Sequence, residues 1–273
     1  MLFFEHFILG AIQGIAEWLP VSSEGLIVLA SAWFSDGVID LSDIIRFSLF
    51  LHLGTFFAAL VYLRRDVWKL LQGLFWHTPD AWTCQTTRFL IISTGISGII
   101  GIVLLYAVGK VAETFKLGTR GIMAAVGILL VVTGLLQLKK QRISGSQTSG
   151  DLRRGENLTL YDGVLLGLAQ GISVLPGISR SGITVAALLM RRIDDVEALR
   201  LSFLMSLPIV FAGNIAINAM FFTEIKSADM AAFVASFVFG ILTIYALLRV
   251  ARRMNFGWFA VMFGCLTFVS IFF

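Results

Sequence analysis

Residues 10–30 read GAIQGIAEWLPVSSEGLIVLA, and residues 167–189 read GLAQGISVLPGISRSGITVAALL. Gln13-Gly14-Ile15 aligns with Gln170-Gly171-Ile172, Leu19-Pro20 with Leu175-Pro176, and Ser23-x-Gly25 with Ser179-x-Ser181-Gly182. In both copies proline stops an apolar helical run, serines and glycine follow, and apolar helix resumes. Proline removes a backbone donor and clashes with the preceding turn, so neither copy is expected to be one continuous helix. Serine just after the break is a favoured N-cap. Each copy therefore reads as two half-helices with polar backbone between them. In a membrane such backbone is tolerated only when it is buried in protein or lines a wet cavity.

Composition puts the chain in a membrane. Over 273 residues, 58% are hydrophobic and only 14% charged, where soluble domains carry about 25% charged residues; mean hydropathy is +0.89. A net charge of +4 invites a nucleic-acid reading, but the basic residues sit between apolar runs and form no patterned face. Cys84 and Cys265 are too few for a disulfide framework and lack metal-ligand spacing. Ala30-Ser31-Ala32 resembles a signal cleavage site. No Lys or Arg precedes it, however, and Glu17, Pro20 and Glu24 interrupt the apolar region, so the segment is read as retained.

Eight apolar segments follow: 3–33 (broken), 44–63, 88–109, 120–138, 161–190 (broken), 199–222, 230–248 and 256–273. The unbroken ones approach the roughly 20 residues of a spanning helix. Gln13 and Gln170 lie 157 positions apart, and the same offset carries residue 44 to 201, the start of the sixth segment. Each half is thus one broken segment plus three plain ones, residues 1–138 and 161–273, joined by a polar linker at 139–160. The linker is read as a tether.

Basic residues collect in cytoplasmic loops, and their count decides how the broken segments run. Leaving out Arg180, a threading in which every segment crosses puts ten Lys and Arg on each side. If both broken segments re-enter and return, the count becomes fifteen against five, with the 64–88, 139–160, 191–200 and 249–253 loops on the basic side. The expected fold is therefore an all-α integral membrane protein with about six transmembrane helices and two re-entrant helical hairpins. Both termini fall outside the plasma membrane. Three crossings per half invert the second half relative to the first. Inverted repeats with broken helices at the midplane place a site at the repeat interface.

Several residues can carry chemistry there. Glu17 and Glu24 are ionisable groups at membrane depth, costly and usually functional, although either carboxylate can instead reach the interface. Ser22 and Ser23 are N-caps or reactive hydroxyls. Arg180, beside Pro176, Gly177, Ser179 and Ser181, is the sharpest candidate. A guanidinium favours bidentate recognition of phosphate or carboxylate, and free N–H groups at a helix start add an anion cradle. A structural pairing of Arg180 with Glu17 is the alternative. His52 lies with Gly54 and Thr55 on the second segment, where a lone histidine is either a hydrogen-bonded core residue or a proton carrier.

The motifs Q-G-I-x-E-W-L-P-V-S-S-x-G at 13–25, H-L-G-T at 52–55 and P-G-I-S-R-S-G-x-T at 176–184 resemble those of the undecaprenyl-diphosphate phosphatases, the bacitracin-resistance family. Arg200-Leu201-Ser202-Phe203-Leu204, ending at Pro208, is similar to that family's R-F-S-F-L…P stretch. The resemblance implies a membrane enzyme that removes the terminal phosphate of a C55 lipid diphosphate, recycling the cell-wall lipid carrier. It also implies a divalent cation, Mg2+ or Ca2+, with Glu17 as a ligand. By position, Glu17, Ser23 and Arg180 would be the catalytic base, the nucleophile and the phosphate-binding arginine. Gln13, Ser22, Gly177, Ser179, Ser181, Thr184 and Arg200 would line the substrate. Many members read S-S-x-G-H, whereas here Leu26 follows Gly25; Glu24 or His52 is then the candidate for proton transfer. The expected partners are a polyprenyl diphosphate and the bilayer, with homodimerisation left open. The alternative function is a polyprenyl-phosphate or small-anion transporter on the same inverted-repeat scaffold.

Overall fold

The computed structural model describes residues 3–19, 21–34, 41–75, 80–115, 153–175, 178–218 and 226–250, with isolated positions between 128 and 139 and at 265. The expected segments 120–138 and 256–273, most of the linker, Pro20, Pro176 and Gly177 therefore lie outside the described residues, wholly or in large part.

Each broken segment is a pair of short helices. The first is α1 (Phe3–Ala16) followed by α2 (Ser23–Phe34). Then come α3 (Leu41–Tyr62), α4 (Arg64–Phe75) and α5 (Ala81–Phe115). After a 3-10 turn at Gly155–Asn157, the second broken segment is α6 (Leu160–Ile172) and α7 (Arg180–Met190), followed by α8 (Asp195–Asn218) and α9 (Ser227–Val250). The four arms of the broken segments hold 14, 12, 13 and 11 residues, each short of the roughly 20 needed to cross. Among the described residues three stretches are long and apolar enough to span: Ala81–Leu104, Val196–Ile215 and Ser227–Arg249. A fourth joins Arg46–Tyr62 to Arg64–Phe75 across an 81° bend. The chain is a helical membrane protein.

One expectation needs correcting. The 64–88 stretch is not a loop, because α4 and the start of α5, from Ala81, together occupy most of it. Four charged residues, Arg64, Arg65, Asp66 and Lys69, break up its apolar residues, which hides the segment from a hydropathy reading.

Local chemistry sets the helix starts. Ser22 Oγ accepts from Gly25 N at 3.2 Å, and Ser179 Oγ accepts from Gly182 N at 3.0 Å. The same cap thus begins α2 and α7, at positions 157 residues apart. Thr159 opens α6 with a capping box: its hydroxyl accepts from Asp162 N at 3.3 Å, and Asp162 Oδ2 accepts from Thr159 N at 2.8 Å. Asp162, fully buried, also takes Arg153 and Arg191, at 2.7 and 2.6 Å. The end of the linker is therefore tied down rather than slack, and Arg153 also bridges to Ile193 through the backbone.

Packing between the two halves is intimate. α1 lies along α9, and α6 lies along α5. Gly14 and Gly171, again 157 apart, sit on these seams. A Cβ on Gly14 would lie 2.6 Å from Ser236 O, and one on Gly171 would lie 2.7 Å from Ile100 Cβ. Only glycine admits backbones this close. α3 is gripped by both neighbours: Ser236 Oγ donates to Leu51 O at 2.8 Å, while Ala58 and Ala59 pack into one core with Trp18, Phe203, Leu204, Leu207 and Ile244. Trp18 meets Phe203 edge-on, ring centroids 4.7 Å apart. This core lies next to Glu17.

Candidate active site

Glu17 lies one residue past the end of α1 and is 5% exposed. Its Oε2 accepts from Gln13 Nε2 at 2.9 Å and from Ser23 Oγ at 3.0 Å, and it stands 3.1 Å from His52 Nε2. Its Oε1 pairs with the Arg180 guanidinium. Four elements thus converge on one carboxylate: α1 through Gln13, α2 through Ser23, α3 through His52 and α7 through Arg180. The five residues between Glu17 and Ser23 include the break, and folding back there is what lets the two side chains touch.

Ser23 and Arg180 are the first helical residues of α2 and α7, one position after their serine caps. The two halves therefore present different chemistry from matching places, a hydroxyl from one and a guanidinium from the other. Both are aimed at Glu17. By helix geometry the opening N–H groups of each half-helix lack intrahelical acceptors, so both starts offer donors to an anion.

His52 has a defined tautomer. Its Nδ1 lies 2.7 Å from Ser48 O, and a carbonyl only accepts, so Nδ1 carries a hydrogen. Nε2 then faces Glu17 Oε2, and two bare lone pairs would repel at 3.1 Å. His52, 7% exposed, is a buried proton partner of Glu17. Thr55 Oγ1 donates to His52 O at 3.0 Å. Glu24 is half-buried, and its carboxylate lies within electrostatic reach of His52.

The remaining sequence candidates are placed as follows. Ser181 Oγ donates to Leu19 O at 2.7 Å, and Ser179 Oγ reaches the same carbonyl at 3.3 Å. Thr184 Oγ1 donates to Arg180 O at 2.7 Å and meets Ser202 Oγ at 2.7 Å. These three hydroxyls hold the second break against the first and stiffen the backbone that carries Arg180. Gly177 lies outside the described residues. Arg200 goes elsewhere: its guanidinium pairs with Asp66 and Glu197 and stacks over Trp82, 4.9 Å to the ring centroid. Sequence reading missed Asp66, which is 134 residues away, and it missed Ser48, Leu19 O and Ser202. Of these only Ser202, inside the R-L-S-F-L stretch, carried a signal.

A divalent cation on Glu17 does not fit this donor set. Hard cations need several oxygen ligands, yet Gln13, Ser23, His52 and Arg180 all turn donors toward the carboxylate, and Arg180 is itself a cation. Among the described residues no three His, Cys, Asp or Glu side chains gather to hold a metal. The acceptor left over is Gln13 Oε1, buried and without a hydrogen-bond partner.

Comparison with known proteins gives the family. The family model of bacitracin resistance protein BacA matches residues 6–269, nearly the whole chain. The chain belongs to the bacitracin-resistance (BacA) family. A BacA relative from Methanococcoides burtonii is 38% identical over 98% of both chains. One from Haloarcula marismortui is 36% identical over 96% of this chain and 95% of its own. One from Geotalea daltonii is 33% identical over 98% of both. All three are named undecaprenyl-diphosphatase.

Proposed function

We propose that this BacA-family chain hydrolyses undecaprenyl diphosphate to undecaprenyl phosphate and phosphate, recycling the cell-wall lipid carrier. The observation that carries this reading is one buried carboxylate, Glu17, which holds a serine hydroxyl from one half and an arginine from the other. That is the equipment of phosphoryl transfer: a nucleophile, its base, and a planar cation for the phosphoryl oxygens. An anion carrier needs the arginine but has no use for a hydroxyl poised on a carboxylate. Family membership also favours the hydrolase over the transporter.

In this reading Ser23 Oγ attacks the terminal phosphorus while its proton passes to Glu17 Oε2, 3.0 Å away. The bond from that phosphorus to the bridging oxygen breaks, and undecaprenyl phosphate leaves. Arg180 and the opening N–H groups of α2 and α7 compensate the charge spread over the phosphoryl oxygens. Water then cleaves the phosphoserine, and Glu17 returns the proton to Ser23 Oγ. His52 Nε2, 3.1 Å from Glu17 Oε2, is placed to hydrogen-bond with the carboxyl group that holds this proton between the two steps.

We further read the chain as two inverted repeats, 1–138 and 161–273, in the plasma membrane with both termini outside. The matched serine caps and the matched glycine seams, each 157 residues apart, support that reading. Purified protein should release phosphate from undecaprenyl or farnesyl diphosphate, and Ser23→Ala should not. Label from a terminally 32P-marked lipid, trapped by acid quench, should appear on Ser23. No release by the wild type would sink the hydrolase. Near-normal release by Ser23→Ala would move the attack to a water held by Glu17.

A further inference from the structure

At 22 residues α3 is by itself long enough to cross a bilayer, and α4 leaves its end at 81°. A helix at nearly a right angle to a span, attached directly to its end, runs along the membrane surface. Its residues divide accordingly. Val67, Trp68, Leu71, Leu74 and Phe75 fall on one side of a 3.6-residue wheel, and Arg65, Lys69 and Gln72 on the other. Val67 and Leu70 pack against the protein core, and Asp66, buried, is fixed by Arg200. Yet Trp68 is 58% exposed, Leu71 44%, Leu74 55% and Phe75 69%. Four large apolar side chains beyond the end of a span do not face water for long. Arg64, Arg65 and Lys69 beside them are exposed as well.

We propose that α4 is a lipid-binding arm that buries Trp68, Leu71, Leu74 and Phe75 at the boundary between headgroups and acyl chains. In that position Arg65 and Lys69 hold anionic phospholipid headgroups. The occupant is the bilayer and not a protein, because the apolar side is continuous with a membrane span and its polar edge is basic. Exposed helices of this pattern, rich in Lys and Arg with Trp, Phe and Leu opposite, lie in the membrane interface. The arm falls on the side of the chain that collects basic residues, where anionic lipid is found. Asp66 and Arg200 pin the arm to α8, so its depth and angle are fixed rather than adaptive.

The test uses the full-length protein with Cys84 and Cys265, both free and exposed, replaced by alanine. A bimane fluorophore is placed on a cysteine at position 71 or, in a separate variant, at position 69. The proteins are reconstituted in phosphatidylcholine vesicles with a minor share of phosphatidylglycerol, one or the other lipid carrying brominated chains. Bromine should quench the label at 71 strongly and the label at 69 weakly. At equal mole fraction, brominated phosphatidylglycerol should quench position 71 about twofold or more better than brominated phosphatidylcholine, since each surface Lys or Arg favours anionic lipid. Arg65→Gln with Lys69→Gln should erase that preference while leaving the quenching by phosphatidylcholine. A label at 71 that neither lipid quenches would overturn the arm itself. Equal quenching by both lipids before neutralisation, or a preference that survives it, would overturn the headgroup assignment.

Discussion

Replacing Glu17 by glutamine swaps one oxygen for an amide group and removes the charge. The carboxylate accepts from Gln13, Ser23 and Arg180 and faces His52 Nε2 at 3.1 Å. An amide can turn its oxygen toward Arg180 or toward the cluster on the other side, never both. Its NH2 then faces donors, and at least one charged hydrogen bond is lost, at about 1.5–3 kcal/mol. Arg180, whose side chain is only 17% exposed, is left without its counter-ion, and breaking a buried pair from one side costs about 3–5 kcal/mol. Glu17→Gln should therefore destabilise the protein by about 3 kcal/mol or more. Ser23→Ala removes one hydroxyl donor and should cost about 1 kcal/mol. On turnover the order changes: both variants should lose about a thousandfold or more, and the double variant should be little worse than either, as for groups acting as a unit. Phosphate release from a lipid diphosphate gives the rates, and denaturant unfolding in detergent, followed by near-ultraviolet circular dichroism, gives the stabilities. Two outcomes would refute the reasoning: a Glu17→Gln protein as stable as Ser23→Ala, or rate losses that multiply in the double variant.

Arg180→Lys keeps the charge but not the planar fork. Its turnover should fall about tenfold or more, about 1.4 kcal/mol of transition-state stabilisation, as read by kcat/KM. Gly14→Ala should loosen α1 from α9, because its methyl would meet Ser236 O at 2.6 Å; a thermal scan in detergent should show a clear fall in midpoint. Cysteines placed in the 139–160 and 249–253 stretches should label from the cytoplasm and those at both termini from outside, and a cytoplasmic C-terminus would rule out the re-entrant threading. Because every neighbour turns a donor toward Glu17, Mn2+ should not bind the lipid-free protein tightly through that residue. Electron paramagnetic resonance checks this, and tight binding abolished by Glu17→Gln would show that Arg180 yields to a metal.

Much of the site was legible because its parts lie close along the chain. Gln13, Glu17, Ser22 and Ser23 fall within one broken segment, and Ser179, Arg180, Ser181 and Thr184 within the other. Proline and serine mark a break and a cap through local sterics, which a sequence shows directly. Arg200 shows where this ends. Its arginine stands in a family-like stretch, but its partners are Asp66 and Trp82, on α4 and α5. Only tertiary packing brings those together, and no spacing rule connects residues 134 apart. His52 was visible as a lone histidine on an apolar helix and as the first residue of the H-L-G-T stretch. Its bond to Ser48 O, one turn back, was open to inference, but its contact with Glu17 was not. α4 escaped notice for a different reason: a surface helix has a low mean hydropathy, and its signal lies in periodicity.

The carbonyl of Leu19 accepts hydroxyls from Ser179 and Ser181, across 160 and 162 positions of chain. A carrier working by alternating access slides one half past the other, so contacts at its centre must be cheap to remake. Here the centre is stitched through main chain: a carbonyl at one break, which also accepts from Val21 N at 2.7 Å, takes two hydroxyls lining the other. Parting the halves would take two hydroxyl donors from that carbonyl and separate Glu17 from Arg180 in the same movement. The scaffold behaves as a rivet rather than a hinge. A lipid headgroup must come to a fixed centre and leave it again by the way the bilayer allows.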